Sequence, residues 1–334
     1  MYSFVKADCR KITDWTNGFM KLYNKPDSNR RPEEFWNATM AHISSIGEAI
    51  RRTHYKELIK SAAHAFCWMC SYVGSCKDSK NLLFRFENSL SEIVGLKFPG
   101  ICGHCMGKRC SCKPVQMDEQ KDKSAKYPEL LKEWKKRKYS DYTMDTWLDD
   151  FWTIFSGQIH LQVIESIGFH LLEEAGEEAR AVRELVQFRG IVGANIDGID
   201  EQFLVSISNI PGLVNEYESA INILKKKLKV QRDKEVFRGI DLTSEDPDVI
   251  KTRLVKSKMD FVIELADTFS WYCAVLLKLH EIIKYEDLHD KLLKKFHIEE
   301  GLKQVYKSEN TCEALKCYAC GATECKCKFF PKND

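Results

Sequence analysis

The stretch MDFVIELADTFSWYCAVLL, residues 259 to 277, indicates the fold class and a functional site. Fourteen of its 19 residues are apolar, and a helix that is mostly apolar around its circumference is buried within a larger protein. Glu264 and Asp267 nevertheless lie in it at i, i+3 spacing, which places both carboxylates on one helix face. Burying two carboxylates is costly unless a cation or basic side chains neutralise them. The stretch therefore predicts a buried helix with a cation-binding face.

The composition is that of a folded, mainly helical protein. Of 334 residues, 44% are hydrophobic and eight are prolines, and long segments carry apolar residues at helical spacing. The balance of 51 basic and 49 acidic residues gives no overall attraction to nucleic acid or to a membrane surface. There is no signal-peptide core and no apolar run of membrane-spanning length. We expect an all-α, cytoplasmic protein with no membrane partner.

Two short polar stretches, CGHCMGKRCSC (102–112) and CYACGATECKC (317–327), share the cysteine spacing C-x2-C-x4-C-x-C. This spacing suits four thiolates around one tetrahedral Zn2+. Disulfides or a redox pair are the competing interpretation, which the repetition and a reducing compartment disfavour. We expect two structural zinc sites, with the ligands Cys102, Cys105, Cys110 and Cys112 in the first and Cys317, Cys320, Cys325 and Cys327 in the second.

The six remaining cysteines are scattered, and several lie in apolar helical runs. We interpret them as buried thiols, since free cysteine is among the most buried residue types. They are Cys9, Cys67, Cys70, Cys76, Cys273 and Cys312.

Three segments that precede each cysteine group also match, in the same order. The pairs are EEFWNATMAHI (33–43) with DDFWTIFSGQI (149–159), ISSIGEAIR (43–51) with LEEAGEEAR (172–180), and SAAHAFCWMC (61–70) with ELADTFSWYC (264–273). The matches predict two homologous halves, each with an FW helix, a G-E helix and an F-x-W-x-C helix before its zinc loop. We place the halves at 1–113 and 140–330, joined by a charged linker at 114–139.

The second half contains an insert near 187–255. It includes the amphipathic segment LVNEYESAINILKKKLKV (213–230) and the loop-forming sequences ANIDGID and TSEDPD. A lid or partner surface is one interpretation, and an elaboration of the helical bundle is the other.

The two halves differ in their acidic residues. Where the second half has Glu173, Glu174, Glu178, Glu264 and Asp267, the first has Ser44, Ser45, Ala49, Ser61 and His64, and Glu48 alone retains the acid that matches Glu177. Carboxylates that converge from two helices suit Mg2+, which prefers oxygen ligands. A solvated acidic helix face is an equally good interpretation of Glu173 and Glu178.

The E-x-x-E pair in LLEEAGEEARAV (171–182) and the E-x-x-D pair in IELADTFSW (263–271) resemble the all-α nucleoside triphosphate pyrophosphatases, the MazG-like group that includes the dimeric dUTPases. The similarity covers the helices near 150–186 and 255–297. It implies a helical bundle of two MazG-like repeats that form an intrachain pseudo-dimer, with a degenerate first repeat and a catalytic second one. The zinc loops and the long insert depart from the family pattern.

The resemblance implies a Mg2+-dependent pyrophosphohydrolase, in which water attacks the α-phosphorus of a nucleotide and pyrophosphate leaves. No P-loop sequence is present to bind the phosphates instead. The implied catalytic residues are Glu174, Glu177, Glu264 and Asp267, and these four with Glu178 are the implied Mg2+ ligands.

Candidates for substrate binding come from the same two helical regions. They are Arg180, Lys291, Lys294 and Trp271, of which the basic residues are otherwise ordinary surface residues and Trp271 an ordinary core residue. Family members work as dimers or tetramers, so the resemblance is also compatible with a homo-oligomer.

The alternative function is a non-catalytic zinc-loop protein that binds nucleic acid or a protein partner. Lys108, Arg109 and Lys113 lie beside the first loop, and Lys326, Lys328 and Phe329 lie in or beside the second. These patches are small, and the balanced overall charge disfavours nucleic acid as a partner.

Overall fold

The computed structural model describes residues 11–27, 30–112, 126–188, 199–239, 241, 244, 246–285 and 322–324. Within these residues the chain forms eleven α-helices and no β-strand, so the predicted all-α class is confirmed. The helices are α1 (Ile12–Asp27), α2 (Pro32–Arg51), α3 (Tyr55–Lys77), α4 (Leu90–Lys97), α5 (Tyr127–Trp134), α6 (Met144–Leu161), α7 (Ile164–Gln187), α8 (Glu201–Ser206), α9 (Ile210–Leu228), α10 (Asp233–Gly239) and α11 (Pro247–Tyr285).

Helix α11 is the central element of the bundle. It has 39 residues, which corresponds to a length of about 58 Å at 1.5 Å per residue. It packs along α7 and also contacts α4, α6 and α9. Phe269 and Tyr272 are fully buried, and the Tyr272 hydroxyl donates a 2.9 Å hydrogen bond to the carbonyl of Ala62 in α3. The buried helix predicted from residues 259–277 is confirmed.

Two pairs of helices build most of the core. Helix α2 packs on α3, α7 packs on α11, and α2 and α7 contact each other. At the α2–α7 contact, Trp36 Nε1 donates a 3.3 Å hydrogen bond to the carbonyl of Ala175. A Cβ added at Gly47 would lie 3.2 Å from Leu172 Cδ1, so the glycine allows close approach of α2 to α7. Helix α1 flanks α3, and α6 flanks α11.

The matched FW and G-E sequences share one helix in the first half but lie in two helices in the second. Phe35, Trp36 and Gly47 all lie in α2, whereas Phe151 lies in α6 and Gly176 in α7. The prediction of separate FW and G-E helices is therefore wrong for the first half. Extended backbone at Val163 separates α6 from α7, while α2 continues for 20 residues without a break.

The latter part of the predicted linker is packed onto the bundle. Helix α5 buries Leu130 and Leu131, and Trp134 Nε1 donates a 2.8 Å hydrogen bond to the carbonyl of Glu92. Residues 113–125 of the linker region lie outside the described residues. Although residues 114–139 are rich in charge, part of this segment forms a short helix with a buried apolar face.

The predicted insert contains α8, α9, α10 and the start of α11. The amphipathic segment forms α9, which buries Leu213, Tyr217 and Leu224 and packs on α11 and α5. This packing favours the interpretation of α9 as an elaboration of the bundle. Among the described helices, none combines the length and apolarity needed to cross a bilayer.

Candidate functional site

Three carboxylates meet where α7 packs against α11. Glu174, Glu264 and Asp267 each offer one oxygen, and these three oxygens lie within 4.8 Å of one another. The i, i+3 spacing places Glu264 and Asp267 on the face of α11 that meets α7. All three residues are partly buried. The arrangement offers hard oxygen donors at the spacing that a divalent cation requires.

Burial perturbs the charge of this carboxylate group. The pKa of Glu264 is raised to about 7, with desolvation as the largest cause. The Lys97 charge opposes the rise, and the charges of Glu177, Glu174 and Asp260 contribute to it. Carboxylates that are buried together in this way resist ionisation until positive charge arrives. Electrostatics therefore favours a cation here.

Lys97 also belongs to the site, although it was not among the residues predicted from the sequence. It is the last residue of α4, and its ammonium forms an ion pair with Asp267. The two side chains are only 7% and 13% exposed. A signal was available, because Lys97 is a single basic residue at the end of the apolar run LSEIVGLKF. The cost of burying an ion applies to it just as it applies to Glu264 and Asp267.

Glu177 lies beside the three-carboxylate group without being part of it. Its carboxylate is 3.6 Å from Arg180, and both side chains are substantially exposed. Its charge contributes to the raised pKa of Glu264, so it lies close to the site. Glu173 is also exposed and contacts His170 at 3.2 Å, as a solvated acidic face would.

Glu178 faces the interior of the bundle, so the structure does not bring this predicted Mg2+ ligand into the group. It is fully buried and accepts a 2.9 Å hydrogen bond from the Tyr72 hydroxyl. Burial raises its pKa well above the usual range, which favours a neutral carboxyl. The structure thus separates Glu178 from Glu174 although one helical turn joins them.

The predicted substrate-binding residues have different placements. Arg180 is exposed and pairs with Glu177. Trp271 is partly buried against the core and stacks on His170, with 4.5 Å between ring centroids. Lys291 and Lys294 lie outside the described residues.

The corresponding part of α2 and α3 carries a different set of polar groups. His42 and His64 stack with ring centroids 5.0 Å apart, and burial lowers the pKa of His64 to about 4. Ser45 donates to the carbonyl of Ala41 within its own helix. Glu48 is exposed and pairs with Arg51 and Arg52.

The first predicted zinc loop brings its four cysteines together. The sulphurs of Cys102, Cys105, Cys110 and Cys112 lie within 4.8 Å of one another. Cys102 Sγ is 3.4 Å from Cys110 Sγ and 3.9 Å from Cys112 Sγ. Zinc–sulphur bonds of about 2.3 Å in a tetrahedron place the sulphurs about 3.8 Å apart. This group could therefore hold a metal such as zinc.

Backbone hydrogen bonds shape the loop and fix it to α6. The amide of Cys102 donates to the carbonyl of Gly107 at 2.8 Å, and the amide of Met106 donates to the carbonyl of Cys102 at 2.9 Å. The amide of Cys110 donates to the carbonyl of Ile154 at 2.8 Å, and Gln158 Nε2 donates to Cys110 Sγ at 3.1 Å. Burial and the adjacent Cys102 raise the pKa of Cys112 to about 11, an effect that a bound cation would reverse.

The other predicted cysteine positions fall into two groups. Cys67, Cys70, Cys76 and Cys273 are buried, as predicted. The ligands of the second zinc loop, Cys317, Cys320, Cys325 and Cys327, lie outside the described residues, as do Cys9 and Cys312.

No protein family, curated protein or solved structure matches the chain in the three comparisons with known proteins.

Proposed function

We propose that the protein is a Mg2+-dependent nucleotide pyrophosphohydrolase that converts a nucleoside triphosphate to a monophosphate and pyrophosphate. The observation that carries the proposal is the convergence of Glu174, Glu264 and Asp267 within 4.8 Å of one another. The proposal also rests on the resemblance of the E-x-x-E and E-x-x-D pairs to the MazG-like enzymes.

The donor set suits magnesium better than a softer metal. It consists of carboxylate oxygens alone, and Mg2+ commonly keeps several waters while binding one or two carboxylates and substrate phosphates. A bound Mg2+ would neutralise phosphate charge and lower the pKa of the attacking water. Glu174, Glu264 and Asp267 would hold the cation, while Glu177 at the exposed edge would contribute negative charge near its open side.

We further infer that the α2–α3 and α7–α11 pairs derive from one repeat and form an intrachain pseudo-dimer. The inference is supported by the matches in residues 43–51 and 61–70 and by the contact between α2 and α7. In this arrangement the α2–α3 pair is a scaffold, because its serines and histidines cannot form a hard-metal site.

The zinc loops have a structural role in this proposal. The first loop closes over α6 through the Cys110 and Gln158 hydrogen bonds, so a bound Zn2+ would fix the chain that follows α4. The repeated cysteine spacing extends the same proposal to Cys317, Cys320, Cys325 and Cys327.

The test is incubation of purified protein with Mg2+ and a panel of nucleoside triphosphates, with the products resolved by mass spectrometry. A monophosphate and pyrophosphate are the expected products for at least one nucleotide. Diphosphate and phosphate, or no turnover across the panel, would contradict the proposal. EDTA should abolish the reaction, and excess Mg2+ should restore it.

One observation favours the alternative of a binding protein. Lys108 and Arg109 are exposed at the tip of the first cysteine loop, where they are available to phosphates or to an acidic partner. Binding of single-stranded nucleic acid that is lost on reversing both charges, in a protein without turnover, would support this second function.

A further inference from the structure

Lys97 brings positive charge into the place where the proposed function requires a metal. Its ammonium pairs with Asp267, one of the three converging carboxylates. The whole residue is 5% exposed, and its charge opposes the rise in the pKa of Glu264. The protein therefore carries an internal counter-ion for the same carboxylates that would bind Mg2+.

The backbone around Lys97 limits where its ammonium can go. Lys97 ends α4, and the next residue, Phe98, packs edge-on against Phe151 and Phe155 of α6. A Cβ added at Gly103 would lie 2.5 Å from the Lys97 carbonyl oxygen and 3.1 Å from Lys97 Cγ. The cysteine loop thus lies directly against the backbone and stem of Lys97. Only the outer part of the Lys97 side chain is therefore free to move, and the ammonium stays near the three carboxylates when it does.

A fixed ammonium and a divalent cation compete for the same oxygens. The positive charges of Mg2+ and the ammonium repel strongly in a partly buried site, where the effective dielectric constant is far below that of water. Mg2+ alone must therefore displace or tolerate the Lys97 ammonium. When a polyphosphate arrives with the metal, its oxygens supply a new anionic partner for the ammonium.

Resting on the proposed function, we infer that Lys97 makes cation binding at Glu174, Glu264 and Asp267 conditional on a polyphosphate ligand. Without phosphate, the ammonium pairs with Asp267 and weakens the binding of Mg2+. With phosphate, the ammonium transfers its ion pair from Asp267 to the phosphate, and Mg2+ takes the vacated oxygen. Lys97 is in this way a substrate-binding residue that also suppresses idle metal loading.

The experiment measures two affinities by calorimetry in the full-length protein and in Lys97→Met. The first is that of Mg2+ alone, and the second is that of inorganic tripolyphosphate in excess Mg2+. Methionine conserves the stem and removes the charge. We expect Mg2+ alone to bind at least about tenfold more tightly in the variant, which corresponds to about 1.4 kcal/mol. Tripolyphosphate should bind at least about tenfold more weakly.

Opposite shifts distinguish the proposal from simple damage to the site. If Lys97 has a merely structural role, its replacement should weaken the binding of both ligands, and this outcome would overturn the inference. Unchanged Mg2+ affinity, or no binding of either ligand to either protein, would also overturn it. Lys251→Met is the matched control, because Lys251 of α11 pairs with Glu216 of α9, and neither residue belongs to the three-carboxylate group. It should leave both affinities within about twofold.

A second variant tests the position of Lys97 without changing its charge. Gly103→Ala places a methyl group against the Lys97 carbonyl oxygen and stem, and it should shift both affinities in the same directions as Lys97→Met. Since neither measurement uses turnover, a protein that hydrolyses no nucleotide but shows the opposite shifts would contradict the proposed reaction and retain the role of Lys97.

Discussion

The α7–α11 and α2–α3 pairs carry different polar groups at matched positions: carboxylates in the first pair and histidines in the second. In the first pair, Glu264 and Asp267 face Glu174 and accept the charge of Lys97. In the second, the residue matched to Asp267 is His64, which stacks on His42 and is held neutral by burial. Among the described residues, the group of three converging carboxylates lies in the first pair.

At the matched positions of the two pairs the apolar residues are kept, while the polar residues differ. Phe66 and Cys70, and the residues matched to them, Phe269 and Cys273, are all buried. In the proposed function, the polar residues on these helices decide whether a pair of helices binds a cation. The differences between the pairs can therefore be tested by single substitutions that leave the packing intact.

The largest expected effect is on the acidic pair itself. Glu264→Gln and Asp267→Asn should each lower Mg2+-dependent turnover more than about a hundredfold, since each removes a charge that binds the metal. In Glu264→Gln the melting temperature of the metal-free protein should hold steady or rise, because mutual repulsion of the carboxylates is reduced. In Asp267→Asn it should fall, because the buried Lys97 ammonium loses its ion pair with Asp267. Stabilisation by added Mg2+, measured by thermal denaturation, should disappear. Full activity in Asp267→Asn would place the metal elsewhere.

The next effect concerns the cysteine loop, which contacts Lys97 beside the acidic pair. Purified protein should carry about two Zn2+ per chain, and Cys102→Ser should remove one of them, as measured by elemental analysis. Stability should fall by about 3 kcal/mol or more, since loss of a structural metal is among the largest single effects. The control is Cys67→Ala, which changes a buried thiol outside the loop and should keep both metals. Zinc-free protein prepared without chelators would refute the zinc assignment.

A smaller effect separates the pairs by their response to acid. Burial first, and then the charges of His42 and Lys60, lower the pKa of His64 to about 4. An unfolded chain with a His pKa near 6.5 binds more protons, so stability is full above pH ~6.5 and falls as the pH drops toward about 4. His64→Leu should remove about 1–3 kcal/mol of that loss. Urea unfolding at pH 7 and pH 4.5 measures it.

The control for this measurement is His54→Gln, which changes an exposed histidine at the start of α3. Its stability should depend on pH as that of the unaltered protein does. An unchanged slope in His64→Leu would show that His64 is not the buried neutral group.

The smallest effect is expected at Glu48, the one acid that the α2–α3 pair retains. It is exposed and already paired with Arg51 and Arg52, so Glu48→Gln should leave turnover within about threefold. Steady-state rates measured beside those of Glu264→Gln make the comparison direct. A loss as large as that of Glu264→Gln would move the active site into the first half of the chain.

Much of the fold and part of the site could be predicted because burial leaves a pattern in sequence. Carboxylates in an apolar helix identified Glu264 and Asp267, and the structure brings Glu174 to them. The cysteine spacing identified the group at 102–112. These predictions depend on the spacing of residues within one or two short segments, and this spacing can be read directly from the sequence.

Other features depend on which neighbour each helix face meets, and a sequence does not state this. Helix α7 contacts both α2 and α11, so Glu174 and Glu178 face different environments although only one turn separates them. Lys97 enters the site from α4, which lies 170 residues from Asp267 in the chain. The FW matches misled because similar short sequences occurred at different positions within their helices.

The long separation between α3 and α11 in the chain has a consequence during protein synthesis. Tyr272 bonds to Ala62, a partner made 210 residues earlier. At about 5–20 residues per second, a ribosome needs roughly 10–40 s to cover that separation. During this interval the apolar faces of α3 and α7 that α11 will cover are open to other nascent chains. The completed bundle therefore depends on its earlier helices staying unaggregated until α11 has been synthesised.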